Sequence, residues 1–167
     1  SNGRRESVAE HSWRLALMAM LLRDTFEQAD MDKVIRMCLI HDLGEAFTGD
    51  IPAFEKHEGH REAEEAALEA WVAGLPEPYG EELAALFCEM QAMQSLEAKI
   101  YKALDNLEAV IQHNESDIAT WLPLEYDLQL TYGADKVAFS PYLTLLKAEI
   151  DRWTRRKIEE AEPHGEA

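Results

Sequence analysis

Apolar residues recur at helical spacing along almost the whole chain. In the segment from about 7 to 26, His11, Leu15, Met18 and Leu22 are separated by four, three and four positions, which places them on one helical face. The segment from about 33 to 47 is apolar nearly all round, and such a helix is expected to lie buried in the middle of a fold. Both patterns predict helices.

Further helices are predicted over about 62–73, 81–93, 96–113 and 142–161, with Gly and Pro marking the breaks between them. The acidic residues of the 62–73 helix are expected to form a solvated face. We expect a loop over 54–61. Residues 117–141 are ambiguous because Pro and Gly interrupt the pattern, and the tail over 163–167 is expected to fray. The chain contains no internal repeat and no dividing linker, so the sequence predicts one all-α domain.

Length and composition agree with one globular domain. The chain has 167 residues, of which 47% are hydrophobic and 29% charged, and this excludes wholesale disorder, a collagen-like repeat and a coiled-coil rod. Acidic residues outnumber basic ones by 33 to 16, for a net charge of -17. Such a surface repels phosphate backbones, so a nucleic-acid polymer and an anionic membrane are not expected as partners.

The sequence shows no recognisable targeting signal, and this and its cysteine usage point to a reducing compartment. The longest apolar run, Leu15 to Leu22, is far shorter than the ~20 residues that span a bilayer. The first residues are polar and no signal-peptide pattern follows them. Cys38 and Cys88 lie far apart in the sequence, and we expect both to be buried free thiols. These features favour the cytoplasm.

The pair His41-Asp42 is the first candidate for chemistry, because it lies in the segment expected to be most buried. A buried carboxylate is costly unless it is paired, hydrogen-bonded or bound to a metal. Adjacent helical residues diverge by ~100°, so the two side chains can bracket one point beside the helix. Imidazole nitrogen and carboxylate oxygen both bind divalent cations. Alternatively, Asp42 could accept hydrogen bonds from a neighbouring helix.

Four further residues could belong to the same site. Glu45 follows His41 by four positions, so it shares that side of the helix and can contact a metal-bound water. His11 lies on the apolar face of the first helix, where a core histidine is the ordinary interpretation, but facing helices also assemble metal sites. Asp105 points away from the apolar stripe of its helix, and this spacing favours a solvated position. Trp13 is expected to pack in the core, although it could also line the site.

The order of these residues resembles the H…HD…D signature of the HD-domain metal-dependent phosphohydrolases. The segments ESVAEHS around His11, HDLGEA from His41, TGDIP around Asp50 and KALD ending at Asp105 are similar to the branch that contains the 5'-deoxynucleotidases. The similarity covers about residues 4–115. It implies a single-domain helical bundle of the HD type over 1–167, with the metal site in 4–115 and C-terminal helices in 116–162.

The resemblance also implies a site. One divalent metal, Mn²⁺, Co²⁺, Zn²⁺, Fe²⁺ or Mg²⁺, would be bound by His11, His41, Asp42 and Asp105. The family's catalytic acid corresponds to Glu45, and the acid near the substrate's sugar corresponds to Asp50. Family members usually carry a helix before the first motif that contributes an Arg-Trp pair to the substrate site. In this chain, the candidate contacts at the N-terminal end are Arg4, Arg5 and Trp13.

The expected function is therefore that of a metal-dependent phosphomonoesterase, which releases phosphate from (deoxy)nucleoside 5'-monophosphates by attack of a metal-activated water. One alternative keeps the metal but takes another phosphorylated substrate, such as a nucleoside triphosphate or an alarmone. Another is a non-catalytic metal-binding helical module. The expected partner is a small phosphate ester, and the resemblance further implies a homodimer, for which the apolar residues of 121–142 could supply the interface.

Overall fold

The computed structural model describes residues 6–48 and 58–161, and within these ranges the chain is helical with no strand. The predicted all-α class is confirmed. The helices are α1 (Val8–Leu21), α2 (Met31–Ile40), α3 (Glu45–Thr48), α4 (Glu58–Ala73), α5 (Tyr79–Ala92), α6 (Leu96–Glu115), α7 (Pro123–Thr131), α8 (Ala134–Val137) and α9 (Pro141–Ala161). Among the described residues, no helix combines the length and apolar character that crossing a bilayer requires.

The described residues divide into two compact units, one formed by 6–48 with 58–101 and the other by 102–161. Helix α6 begins in the first unit and ends in the second. The assignment of 1–167 to a single domain stays a prediction.

In the first unit, α1 packs against α2 around a fully buried core. The start of α1 is fixed by a capping box, in which the Ser7 hydroxyl accepts from the Glu10 amide and the Glu10 carboxylate accepts from the Ser7 amide. A side-chain cap of this kind typically stabilises a helix by about 1 kcal/mol. This core is built from Leu15, Ala19, Val34, Met37 and Cys38. The cap and the core together fix where α1 places His11.

The prediction of one helix over 33–47 is wrong. Helix α2 ends at Ile40, residues 41–44 form a turn, and α3 starts at Glu45. The amides of Leu43 and Glu45 donate to carbonyl oxygens three residues earlier, which is a tighter winding than the α-helix. Gly44, a weak helix former, lies in this turn. The segment is also not buried all round, since Leu39 is 47% exposed.

Helix α4 begins earlier than predicted. It starts at Glu58, so the loop expected over 54–61 is wrong for 58–61, and 54–57 lie outside the described residues. Helices α5 and α6 confirm the predicted helices over 81–93 and 96–113. Helix α4 packs against both α3 and α5. The expected burial of both cysteines holds for Cys38 but not for Cys88, which is exposed, and both are free thiols.

The second unit resolves the ambiguous segment 117–141 into a 3₁₀ turn followed by α7 and α8, and both of these helices pack against α9. Helix α9 confirms the predicted C-terminal helix. Buried polar groups tie it to α6, since the side chains of Asn114 and Thr154 exchange hydrogen bonds of 2.9 and 3.1 Å. The tail over 163–167 lies outside the described residues.

Candidate metal centre

Three of the predicted ligands converge in the first unit. His11 comes from α1, and His41 and Asp42 come from the turn that follows α2. The Nε2 atoms of the two histidines are 3.2 Å apart. The Oδ2 atom of Asp42 lies 3.0 Å from His41 Nε2 and 3.9 Å from His11 Nε2. The packing of α1 on α2 therefore brings together side chains thirty residues apart in sequence.

The triangle formed by these three atoms has the size of a metal site. A point equidistant from all three lies roughly 2.0 Å from each, which is the length of metal–nitrogen and metal–oxygen bonds in proteins. All three side chains are also partly or largely buried; that of His41 is only 4% exposed. The residues present fit a divalent cation.

A backbone carbonyl determines which ring nitrogen of His41 carries the hydrogen. Its Nδ1 atom lies 2.9 Å from the carbonyl oxygen of Cys38, and because a carbonyl oxygen can only accept, Nδ1 carries the hydrogen. In the neutral ring, Nε2 then presents a lone pair toward His11 and Asp42. Metal-binding histidines are commonly oriented in this way by a bond from the second ring nitrogen. The buried ring of Tyr101, with its centroid 6.1 Å away, packs beside His41.

Electrostatics favours positive charge at this point, carried by a proton or by a cation. The lone pair of His41 Nε2 and the carboxylate oxygen of Asp42 are both acceptors, and they are only 3.0 Å apart. Two acceptors at this distance repel each other unless a proton or a cation lies between them. Two imidazole nitrogens and one carboxylate oxygen form a donor set that suits borderline divalent metals.

A cavity of about 340 Å³ opens beside these residues, within the size range of small-molecule sites. His41, Asp42 and Glu45 line one part of it, so Glu45 reaches the same space as two of the ligands. The remaining lining comes from the turn before α3, from α4 and α5, and from the start of α6. These residues are Gly44, Glu64, Glu65, Leu68, Phe87, Met90, Gln91 and Tyr101.

Sequence reasoning missed most of this lining. The acidic residues of the 62–73 helix were expected on a solvated face. This is confirmed for Glu62, Glu65 and Glu69, which are exposed, although Glu65 also borders the cavity; it is wrong for Glu64, which is half-buried in the cavity wall. Residue spacing within α4 carries no signal for this, because the cavity exists only once α4 packs against α5. The hydrogen bond to the Cys38 carbonyl could not be predicted either, because every residue type has a backbone carbonyl.

The other predicted site residues are placed as follows. Arg4, Arg5 and Asp50 lie outside the described residues. Trp13 is 63% exposed, so its expected packing in the core is wrong. The reason is helical rotation: Trp13 follows His11 by two residues, which turns it ~200° around α1 and away from α2. Trp13 is not among the described residues that line the cavity.

Asp105 belongs to the second unit. Its side chain is 14% exposed, so the solvated position that its spacing favoured is wrong. The Nζ atom of Lys102, one helical turn earlier, donates to Asp105 Oδ2 over 2.7 Å. This ion pair compensates a carboxylate that is largely removed from water. Its role as a fourth ligand stays a prediction.

Comparisons with known proteins point in one direction. A family model described as HD domain matches residues 1–146. The human protein named 5'-deoxynucleotidase HDDC2 is 35% identical over 168 residues, covering 97% of this chain and 80% of that protein. The Saccharomyces cerevisiae protein named 5'-deoxynucleotidase YBR242W is 32% identical over 114 residues, covering 64% of this chain and 47% of that protein.

A solved structure gives the same indication. The crystal structure of a "predicted metal-dependent phosphohydrolase" from Magnetospirillum magnetotacticum MS-1 superposes on this chain with a TM-score of 0.75 at 30% sequence identity. The superposition covers 93% of this chain and 80% of that one.

Proposed function

Because this chain belongs to the HD domain family and is an enzyme of the phosphohydrolase class, we propose that it hydrolyses deoxynucleoside 5'-monophosphates to deoxynucleosides and phosphate. The resemblance seen in the sequence motifs is thereby confirmed at the level of the family. The substrate rests on the names of the human and yeast relatives, both called 5'-deoxynucleotidases.

One observation carries the proposal: His11 Nε2, His41 Nε2 and Asp42 Oδ2 surround a point roughly 2 Å from each. A hydrolase of this class needs a divalent cation, and this is where the described residues would hold it. Asp105 would complete the coordination, in keeping with the family signature. The two-nitrogen donor set favours Mn²⁺, Co²⁺, Fe²⁺ or Zn²⁺ over Mg²⁺, which prefers oxygen ligands.

When bound, the cation would lower the pKa of a water and offset negative charge on the phosphate. The residues of the chain supply the rest. The Cys38 carbonyl keeps the Nδ1 hydrogen of His41 in place, so the neutral ring presents its Nε2 lone pair to the site. Glu45, on the wall of the cavity, accepts a proton from the attacking water and returns one to the departing 5'-oxygen.

Of the remaining substrate contacts, that of Asp50 follows from the family signature, whereas Arg4 and Arg5 are proposed for their charge and their place shortly before His11 in the sequence. Asp50 would contact the sugar, and Arg4 and Arg5 would contact the phosphate. For a protein with a net charge of -17, local positive charge near the phosphate is required, and these arginines together with the cation would supply it. The substrate contact expected of Trp13 stays a prediction.

We further propose a cytoplasmic homodimer. Two free cysteines suit a reducing compartment. In the second unit, several large apolar side chains from the segment expected to form an interface are exposed, and these include Leu122, Leu124, Leu128, Phe139 and Tyr142. Trp121, by contrast, is buried and would contribute nothing to that surface.

The test is a phosphate-release assay. The protein is stripped with a chelator, reloaded with Mn²⁺, Co²⁺, Zn²⁺ or Mg²⁺ in turn, and presented with deoxynucleoside and ribonucleoside 5'-monophosphates and with deoxynucleoside triphosphates. We expect metal-dependent release from the deoxynucleoside monophosphates. Hydrolysis of triphosphates alone would favour the alternative substrate class, and metal binding without any hydrolysis would favour the non-catalytic module.

A further inference from the structure

The cavity beside the candidate ligands is also lined by two exposed polar side chains from α4 and α5. Gln91 Nε2 donates to Glu65 Oε1 over 3.2 Å, so the two side chains bridge the helices at the cavity wall. A second cavity of about 460 Å³ continues beyond this point, between the same two helices. The two spaces share Glu65, Leu68, Phe87 and Gln91. The Glu65–Gln91 bridge therefore stands where the first cavity meets the second.

The rest of the lining differs in character from the Glu65–Gln91 bridge. Leu68, Phe87 and Met90 give an apolar surface suited to a flat ring. The titratable groups along the described part of the cavity, apart from the ligands and Tyr101, are carboxylates: Glu45, Glu64 and Glu65. A second phosphate group would be repelled there, whereas a neutral ring with hydrogen-bond donors would be attracted. The chemistry fits the base of a mononucleotide whose phosphate lies at the cation.

We propose that Glu65 and Gln91 recognise the base and select bases that carry an exocyclic amino group, such as adenine and cytosine, over thymine. This inference rests on the proposed function. The Glu65 carboxylate is an acceptor only, and it would accept from the amino group. The Gln91 amide would donate its second hydrogen to the adjacent ring nitrogen. Thymine reverses this pattern, since it presents a carbonyl oxygen where Glu65 requires a donor.

The first experiment compares kcat/KM for dAMP, dCMP and dTMP with the metal-loaded full chain. Hydrogen bonds to charged groups are worth enough to produce a preference of roughly fivefold or more for dAMP and dCMP. The amide of Glu65→Gln can donate as well as accept, so it no longer discriminates between an amino group and a carbonyl oxygen. The preference should fall to within about twofold, mainly because kcat/KM for dAMP and dCMP decreases. Gln91→Leu should reduce it in the same direction.

Glu69 provides the matched control. It lies on the same helix, one turn beyond Glu65, and lines the second cavity without lining the first. Glu69→Gln removes the same charge from α4 and should leave the preference unchanged. A preference that falls equally in both variants would indicate a general charge effect and overturn the inference.

A direct binding measurement separates the two proposals. Binding of deoxyadenosine and thymidine is followed by NMR titration, which requires neither metal nor turnover, and deoxyadenosine should bind more tightly in a Glu65-dependent way. Equal kcat/KM for dAMP and dTMP in the unmodified chain overturns the base recognition but leaves the phosphatase intact. Absence of phosphate release from every mononucleotide overturns the proposed function, while the nucleoside titration still decides the question of Glu65 and Gln91.

Discussion

The Nδ1 atom of His41 bonds to the carbonyl oxygen of Cys38 at 2.9 Å, and this bond links the candidate ligand to the last turn of a buried helix. Because Cys38 is fully buried, the carbonyl cannot move without disturbing the core that α2 shares with α1. The imidazole is therefore oriented before any cation arrives, which lowers the entropy that binding has to overcome.

Replacing His41 tests the metal centre. We expect His41→Ala to lose bound metal and activity together, with affinity reduced by more than the ~10–100-fold that is typical of losing only an outer-shell partner. Metal content by elemental analysis and the rate of phosphate release are measured on the same preparation. Arg36→Ala, an exposed change on the same helix, should retain both. Full metal content in His41→Ala would refute the assignment.

Glu45→Gln separates proton transfer from metal binding. The amide keeps the shape of the side chain but cannot exchange a proton, so kcat should fall by roughly 10²–10⁴-fold with little change in KM. Metal content should remain that of the unmodified protein, since Glu45 is not counted among the ligands. If kcat is unchanged, another group transfers the proton.

Asp105→Asn tests the fourth ligand. An amide oxygen is a weaker ligand than a carboxylate, so metal affinity should fall by about tenfold or more if Asp105 binds the cation. Lys102→Ala is the informative control, because it removes the ion pair with Asp105 but leaves the carboxylate available. Retained affinity in Asp105→Asn would limit the ligands to His11, His41 and Asp42.

The burial of His113 predicts that the free energy of unfolding depends on pH. Burial of the ring, whose centroid lies 4.5 Å from that of the tilted Trp121 ring, lowers the pKa of His113 below its usual 6.5, although Glu125 acts in the opposite direction. The unfolded chain therefore binds a proton near pH 6.5 that the folded chain still excludes. Stability is full above that pH and falls as the pH is lowered through it.

The measurement is the free energy of unfolding in urea at pH 7.5, 6.5 and 5.5. His113→Gln removes this titration, so the unmodified protein should lose more stability than the variant between the highest and lowest pH. Parallel pH profiles for the two proteins would show that His113 titrates alike in the folded and unfolded states.

Gly133 occupies a position that only glycine fills without strain. Its φ is +75°, and a Cβ atom there would lie 2.8 Å from the Cβ of Asn106. Gly133→Ala should destabilise the fold by about 1–3 kcal/mol, measured by urea unfolding. Gly74→Ala is the control, because its new Cβ would come no closer than 3.4 Å to a carbonyl oxygen. It should change stability by less than about 1 kcal/mol; equal losses in the two variants would contradict the role of the positive φ.

The fold class and the candidate ligands were predicted from the sequence on different grounds. Helical periodicity reports which residues share a face, and it located α1, α5, α6 and α9. The ligands required the family motifs, since a lone His11 or His41 has an ordinary structural interpretation. Periodicity also misled: it extended α2 through His41, because it records apolar spacing and not the tightening of a turn around Gly44.

The cavity could not have been predicted from local pattern. Glu65 and Gln91 are 26 residues apart on different helices, and each is an ordinary polar position in its own helix. Only the packing of α4 against α5 makes them neighbours. The exposure of Trp13 differs in this respect, since it follows from the two-residue offset from His11 on the same helix.

A Cβ on Gly44 would meet the carbonyl oxygen of Glu64 at 3.3 Å, so the turn that carries Asp42 rests almost directly on the backbone of α4. The proposed proton-transferring acid at Glu45 and the proposed base contact at Glu65 each follow one side of this junction by a single residue. A Cβ on Gly44 would require the turn and α4 to separate by a few tenths of an ångström. Because both residues adjoin this contact, a larger side chain at position 44 is expected to displace the proposed acid and the proposed base contact together.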